Sequence, residues 1–204
     1  MPRIHTDIEM SHQVFDMNRE FLRLLTHPRR ADASDLLGFD VGAGEALQRL
    51  DERQLDMIAR APLLLVEFSP FPGFGEIREI SPRLNHFSSS WQQQLKSFTD
   101  RLLACIWQSS RHDRLATALY TGIDSDRCRR LSEMSFCRLS RSSEQAARAL
   151  RVRLGQHPVF WPDLIRLVQQ GNRTQRIISR MSAIQLSVAQ EWLKSVRPSN
   201  PRYI

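Results

Sequence analysis

The sequence Ala33-Ser-Asp-Leu-Leu-Gly-Phe-Asp40 is repeated, with changes, as Thr117-Ala-Leu-Tyr-Thr-Gly-Ile-Asp124. In each copy a glycine stops one helical segment. An aspartate two residues later can accept hydrogen bonds from the free backbone N–H groups that begin the next helix. Each copy follows a long amphipathic segment and precedes a leucine-rich partner. The pattern predicts a repeated helical unit, and the alternative is two unrelated helical hairpins.

Apolar spacing predicts that most of the chain is helical, with long amphipathic helices over 8–25 and 91–108. The run Leu63-Leu-Leu-Val-Glu-Phe68 is too short for an ordinary helix and predicts an edge strand or a buried extended arm. Such a strand needs a partner, and the same strand of a second subunit is one answer. The predicted fold class is all-α, multi-helical with helix-turn-helix-like units and a short β-strand near 63–68. Shorter helices are predicted over 31–37, 41–49, 52–61, 114–120, 125–131, 135–142, 144–154 and 163–170.

The segment Ser69-Pro-Phe-Pro-Gly-Phe-Gly75 breaks these helical patterns and marks the best domain boundary. Residues 1–68 are therefore predicted to form a helical interaction domain, and residues 69–90 a linker. Residues 91–204 are predicted to form a basic helical domain.

Charge is unevenly distributed along this chain of 204 residues, which has a net charge of +7. The first hundred residues carry 11 Lys or Arg and 15 Asp or Glu, whereas the remainder carries 18 and 7. The excess of basic residues indicates that any polyanion binds to the second half. A solvated basic surface is the alternative.

The second repeat fits a helix-turn-helix register with Gly122 at the turn. Cys128 and Leu131 are predicted to face inward. The corresponding positions of the first repeat include Asp40, Glu45 and Gln48, which would repel phosphate. We therefore expect a protein-interaction unit in the first repeat and a DNA-binding unit in the second, where Asp126, Arg127, Arg129 and Arg130 are predicted to face outward.

A second helix-turn-helix pattern lies near the end of the chain, where helices are predicted over 173–181 and 186–195. A plain helical hairpin is the alternative. If this segment reads a major groove, the polar residues on its outer faces lie near DNA, and arginines of the second repeat add phosphate contacts. The predicted DNA-binding residues are Arg173, Arg176, Arg180, Gln185, Ser187, Gln190, Lys194, Arg127, Arg129 and Arg130.

No catalytic constellation is visible, so we expect no enzyme activity and no cofactor. The six histidines are scattered, and Cys105, Cys128 and Cys137 lack the spacing of a metal site or a disulfide framework. The chain has neither an apolar signal-peptide core at its N-terminus nor a run long enough to cross a membrane, which predicts a cytoplasmic protein.

Residues 8–68 resemble FlhD, a subunit of the bacterial flagellar master regulator. The similarity rests on Val14-Phe-Asp-Met-Asn18, Phe21-Leu22, Leu37-Gly-Phe-Asp40 and the run over 63–68. Residues 164–201 are similar to the front of the partner subunit FlhC, through Leu164-Ile-Arg-Leu-Val-Gln-Gln-Gly-Asn-Arg173, Leu186-Ser187 and the proline-rich exit. Divergent relatives of the pair control the transfer of integrative conjugative elements.

The resemblance implies a nearly all-helical transcriptional activator that binds double-stranded DNA, forms homo-oligomers and joins an FlhC-like partner regulator. Genes for motility or for a mobile element are the expected targets. The alternative is an adaptor or anti-activator that binds a partner regulator and never touches DNA. The residues expected at the oligomer interface are Phe15, Phe21, Leu22, Leu63, Leu64, Leu65, Val66 and Phe68.

Overall fold

The computed structural model describes residues 3–27, 37–69 and 89–170, with side chains from Met10 and from Ser90 onward in the first and last of these ranges. The described residues are mostly helical with one small sheet, which confirms the predicted fold class and the short strand. The elements are α1 (Arg3–Thr26), α2 (Val41–Gln48), α3 (Glu52–Ala59), β1 (Val66–Phe68), α4 (Ser89–His112), α5 (Arg114–Thr121), α6 (Ser125–Ser132), α7 (Phe136–Arg141), α8 (Ser143–Ala149), β2 (Leu150–Val152) and α9 (Phe160–Gln170).

The repeat predicted from the two glycine–aspartate stretches is present in the structure. Helices α2 and α6 start 84 residues apart, as do α3 and α7, and β1 and β2. Gly38 and Gly122 both have a left-handed backbone, with φ of 66° and 69°. The aspartates that follow cap α2 and α6 through side-chain oxygens that accept from backbone N–H groups, each at 2.8 Å. Two copies of one unit therefore make up most of the described chain.

The buried positions of the two copies also correspond. Each buries an apolar residue directly after its glycine, Phe39 in the first and Ile123 in the second. Within the helices that follow, Leu47 and Leu131 are matched and both about 1% exposed. The shared core pattern explains why both copies adopt the same turn-and-helix geometry, since each must bury the same face.

The strand β1 pairs with β2 of the same chain, so the expectation that a second subunit supplies the partner is wrong. The pairing is antiparallel, with Val66 opposite Val152 and Phe68 opposite Leu150. Its centre, Glu67 opposite Arg151, joins two residues that are themselves 84 positions apart. Exchanging the two copies therefore leaves the pairing of equivalent positions unchanged, as it would in a two-fold symmetric dimer. An antiparallel ladder permits this symmetry.

The two copies share one hydrophobic core. The long helices α1 and α4 pack together, and the ring of Phe21 stacks on that of Phe98 with centroids 5.6 Å apart. Helix α9 packs against α2 and α3 of the first copy, where Trp161 meets Phe39. The predicted domains 1–68 and 91–204 thus meet in one core within the described residues, and most of the predicted linker lies outside them.

The copies differ in the segment that precedes the strand. In the first copy residues 60–65 are not helical, and the buried side chain of Asn18 bonds two backbone groups of this segment and the carbonyl of Ala59 just before it. Its amide nitrogen donates to the carbonyls of Ala59 (3.2 Å) and Leu63 (2.9 Å), and its oxygen accepts from the N–H of Leu65 (2.8 Å). In the second copy the matching segment is α8, which satisfies its own backbone.

The prediction of one basic helix over 144–154 is wrong in its second half. Helix α8 ends at Ala149, and Leu150 has an extended backbone (φ −65°, ψ 135°) that begins β2. Leu150 and Val152 are buried on either side of half-buried Arg151, an alternation typical of a strand. Pairing with β1 accounts for this outcome, because the strand partner is distant in sequence.

No helix among the described residues is long and apolar enough to span a bilayer.

Candidate nucleic-acid interface

The second repeat forms a helix-turn-helix from α5 and α6, which pack on each other and on α4. Helix α5 ends at Thr121, and the N–H of its C-cap residue Gly122 donates to the carbonyl of Ala118 at 2.9 Å. Asp124 then starts α6 by accepting from the N–H of Arg127. In DNA-binding proteins with this motif the second helix lies in the major groove. Helix α6 is the second helix of this unit.

The turn between these helices is held from the core by Arg153, which is only 1% exposed. Its Nη1 donates to the carbonyl of Tyr120 at 3.2 Å, and the N–H of Leu64 donates to that same carbonyl at 2.8 Å. A methyl group on Gly122 would lie 2.5 Å from Nη2 of Arg153. The guanidinium thus fixes the turn and leaves no room for a side chain there.

The orientation predicted for α6 is confirmed. Cys128 and Leu131 are buried at 0% and 1% exposure, and the four predicted outward residues are exposed. Cys128 also donates its S–H toward the carbonyl of Ile123, at 3.7 Å. The arginines at 127, 129 and 130 are therefore presented to solvent on one short helix.

Acidic residues on α6 and at its two caps offset much of this charge. Arg127 pairs with the N-cap residue Asp124 at 3.1 Å, and Arg129 pairs with Asp126 within the helix at 3.4 Å. Residues 124–133 contain three arginines and three acidic residues, so the segment has no net charge. Both pairs are largely exposed and hence weak, which leaves the arginines able to exchange partners.

Basic residues beside α6 add to this surface. Arg138 and Arg141 are exposed on α7, the helix that follows directly. Ser135 begins α7 by accepting from the N–H of Arg138. The positive charge of the second repeat therefore lies on α6 and α7 together rather than on α6 alone.

An aromatic cluster next to this surface was not predicted. Phe136, the first residue of α7, is 55% exposed, and its ring lies 5.8 Å from that of Trp107. The guanidinium of Arg111 lies over Trp107 at 5.0 Å, and the indole N–H donates to the carbonyl of Met134 at 2.9 Å. The exposure of Phe136 has no signal in the sequence, because its position matches that of an ordinary helix-start residue.

The first repeat presents a different surface at the matching place. Asp40 and Glu45 are exposed, as predicted, and so is Gln48. Glu45 pairs with Arg49 at 3.5 Å. Val41 at the start of α2 is 63% exposed. The face is acidic and partly apolar, which suits a protein partner better than phosphate.

The predicted oligomer-interface residues are largely covered by the chain itself. Phe21, Leu22, Leu63, Leu64, Leu65, Val66 and Phe68 are each at most 9% exposed. Phe15 is half-buried, beneath the guanidinium of Arg60 at 5.2 Å. These side chains form the core between the two repeats, so a second subunit is not needed to cover them.

The seven predicted DNA-binding residues from Arg173 to Lys194 lie outside the described part of the chain. The helix before them, α9, begins at Phe160 rather than at the predicted Asp163. The N–H of Phe160 donates to Nδ1 of His157 at 3.1 Å, and the N–H of Asp163 donates to the carbonyl of Val159 at 2.9 Å. The histidine therefore serves as a helix cap.

The reactive side chains of the described residues do not assemble into a metal cluster. Cys105 on α4 faces α1, where it donates its S–H to Oε1 of Gln13 at 3.6 Å. Burial raises the pKa of its thiol, against a smaller lowering by the hydrogen bond with Ser109. The thiol therefore remains protonated at neutral pH and is a poor nucleophile.

Comparison of the chain with protein-family models, with curated proteins and with solved structures gave no match.

Proposed function

We propose that the chain is a DNA-binding transcriptional regulator, an activator of the FlhD/FlhC type. The observation that supports it is the exposed arginine-bearing helix α6, set directly after a helix-turn-helix turn. The basic charge of the second half and the resemblance to FlhD and FlhC add to it. Motility genes or mobile-element genes are the proposed targets, with an FlhC-like chain as the proposed partner.

Titration of labelled double-stranded DNA from the region upstream of the gene tests this proposal. Binding is measured by fluorescence anisotropy over a series of salt concentrations, with and without the partner regulator. Each arginine–phosphate contact contributes about 0.9 to the slope of log affinity against log salt. Replacing Arg129 and Arg130 together by alanine should reduce that slope by about 2.

Arg49 provides the matched control, since it is exposed directly after α2 and pairs with an acidic residue four positions earlier. Arg49→Ala should leave both the affinity and the slope unchanged. Equal losses from the α6 pair and from Arg49 would contradict a specific interface. Salt-independent or absent binding, alone and with the partner, would overturn the function.

The stretch from Arg173 to Lys194 contributes to the proposal through its sequence alone. Its test is charge reversal at Arg173 and Arg176. If these residues contact DNA, the double variant loses promoter activation and still retains the partner in a pull-down assay. Activation that survives the reversal would remove this segment from the interface.

The second candidate function is an adaptor or anti-activator that binds a partner regulator without touching DNA. The observation that favours it is the set of three acidic residues on α6 and at its two caps, which brings the charge of residues 124–133 to zero. Asp126→Asn separates the two functions, because it removes the carboxylate that pairs with Arg129. A DNA-binding helix should then bind about two- to fivefold more tightly, whereas DNA binding through another chain should not change.

A further inference from the structure

Phe136 and Trp107 form a partly exposed aromatic pair beside the basic helices of the second repeat. The ring of Phe136 is 55% exposed, and its centroid lies 5.8 Å from that of half-buried Trp107. The exposed guanidinium of Arg111 lies over the same indole, 5.0 Å from its centroid. The indole is held in turn by its N–H, which donates to the carbonyl of Met134. Phenyl ring, indole and guanidinium therefore form one aromatic cluster that is open to solvent at Phe136 and Arg111.

The shared fold does not require this aromatic cluster. The positions 84 residues before Trp107 and Phe136 are Arg23 and Glu52, and in the first repeat these two residues form an exposed ion pair at 3.3 Å. The matched residues thus meet in both repeats, through charges in the first and through rings in the second. Polar side chains are sufficient for the fold at this place, so the exposed ring is a feature of the second repeat alone.

The charge around the aromatic cluster is positive when every nearby acidic residue is counted. Residues 124–149 carry six arginines and four acidic residues, and residues 107–114 carry two arginines and one aspartate, giving +2 and +1. Three ion pairs cancel within the first of these stretches. Its excess therefore comes from three exposed arginines against the exposed Glu133. These arginines are Arg130, Arg138 and Arg141.

An exposed ring surrounded by positive charge matches the chemistry of a single nucleic-acid strand. Such strands bind by stacking their bases on aromatic side chains, while a basic surface follows the phosphates. In a duplex both faces of a base are covered by its neighbours in the stack, so the ring of Phe136 is available only to an unpaired base. Positive charge around the ring would oppose a basic protein partner and would add nothing to the binding of an apolar one.

We propose that the aromatic cluster binds single-stranded DNA, with one base stacked on Phe136 and an adjacent phosphate bound by Arg111. The arginines of α7 extend the positive surface along the strand. The choice of DNA over RNA rests on the proposed function, because α7 directly follows α6. The stacking site itself does not rest on it, since a base can reach Phe136 whether or not α6 enters a groove.

Fluorescence anisotropy of the full-length chain with labelled oligothymidine of about 12 nucleotides tests this proposal, since single-strand sites cover such lengths. Phe136→Ala should weaken binding at least about fivefold, because it removes the stacking of one base. The slope of log affinity against log salt should not change, because no charge is lost. Arg111→Ala should instead reduce the magnitude of that slope by about 0.7, the contribution of one phosphate contact on a single strand.

Matched variants and a matched ligand separate stacking from charge and from folding. Leu115 and Leu119 on α5 are also exposed, at 72% and 58%, but carry no ring. Leu119→Ala should therefore leave the affinity unchanged. Phe136→Trp should retain the affinity and Phe136→Leu should lose it, with the circular dichroism spectrum and the denaturation midpoint as the check on folding. An abasic strand of the same length has the same phosphates and should bind equally to every Phe136 variant.

Unchanged affinity of Phe136→Ala and Phe136→Leu for oligothymidine would overturn the proposal, as would equal binding of the abasic strand and oligothymidine. Tighter binding of oligouridine of the same length would overturn the choice of DNA. Binding of polyglutamate but of neither oligonucleotide would assign the cluster to an acidic protein. Duplex DNA is titrated in parallel. Oligothymidine binding without duplex binding would contradict the proposed function alone, and the reverse result would contradict this site alone.

Discussion

The two repeats use the same devices to form their turns and the opposite kind of charge on the helices that follow. Gly38 and Gly122 share a left-handed backbone, and Asp40 and Asp124 cap their helices at the same distance. Beyond the caps, α2 presents glutamate where α6 presents arginine, at positions 45 and 129. Buried contacts fix the geometry of a helical unit, while its exposed positions are free to determine what it binds.

The segment before each strand shows a second difference and its physical cause. A non-helical segment buried in a core must find partners for its backbone groups outside itself, whereas a helix supplies them internally. The first repeat has such a segment at 60–65, and Asn18 on α1 bonds two of its backbone groups and the carbonyl of Ala59. The second repeat has α8 there and needs no equivalent amide.

Replacing Asn18 by leucine should have the largest effect on stability. Three buried backbone groups would lose their hydrogen-bond partner, and each such loss costs about 1–3 kcal/mol. We expect the free energy of unfolding to fall by about 4 kcal/mol in chemical denaturation. An exposed substitution on the same helix, Ser11→Ala, is the control. A loss no larger than that of the control would mean that Asn18 is not what satisfies this segment.

Replacing each of the two turn glycines by alanine should lower the stability by different amounts in the two repeats. Both substitutions force a residue with a side chain into a left-handed backbone, at a cost of about 1–2 kcal/mol. At Gly38 the new methyl group meets only Cδ of Arg151 at an ordinary 3.5 Å. At Gly122 it also displaces the buried Arg153, so we expect a total of about 3 kcal/mol. Equal losses in denaturation midpoints would contradict the role given to Arg153.

The capping aspartates should give the smallest effects on stability. Asp40→Ala and Asp124→Ala each remove one side-chain cap, and each should cost about 1 kcal/mol. Their effects on DNA affinity should differ, because Asp124 also pairs with Arg127 while Asp40 lies on the acidic face. Only Asp124→Ala should tighten DNA binding. An equal change in affinity for the two variants would count against α6 as the contact surface.

Local signals in the sequence predicted the helices of the described residues well, because spacing and capping act over a few residues. The starts of α2 and α6 at Val41 and Ser125 follow directly from their aspartates. The repeat was detectable for the same reason. The strand over Leu150–Val152 was not detectable from local signals. An extended backbone there depends on pairing with a strand that lies 84 residues away in the sequence.

The site was predicted in part. The outward direction of Arg127, Arg129 and Arg130 follows from the buried positions of Cys128 and Leu131. Burial of Arg153 and exposure of Leu115 and Phe136 did not follow from periodicity, because they depend on which surfaces the two copies bring together. Tertiary contacts decide such residues, and a single sequence carries little direct signal of them.

The symmetric pairing of β1 with β2 has a consequence for how the protein can change. In an ordinary homodimer every substitution appears on both sides of the axis at once, so a charge gained for one partner is also imposed on the other. Here the two halves are encoded separately and joined covalently, and their association does not depend on protein concentration. Each face can therefore be altered alone, and one molecule can present an acidic surface and a basic surface from the same fold.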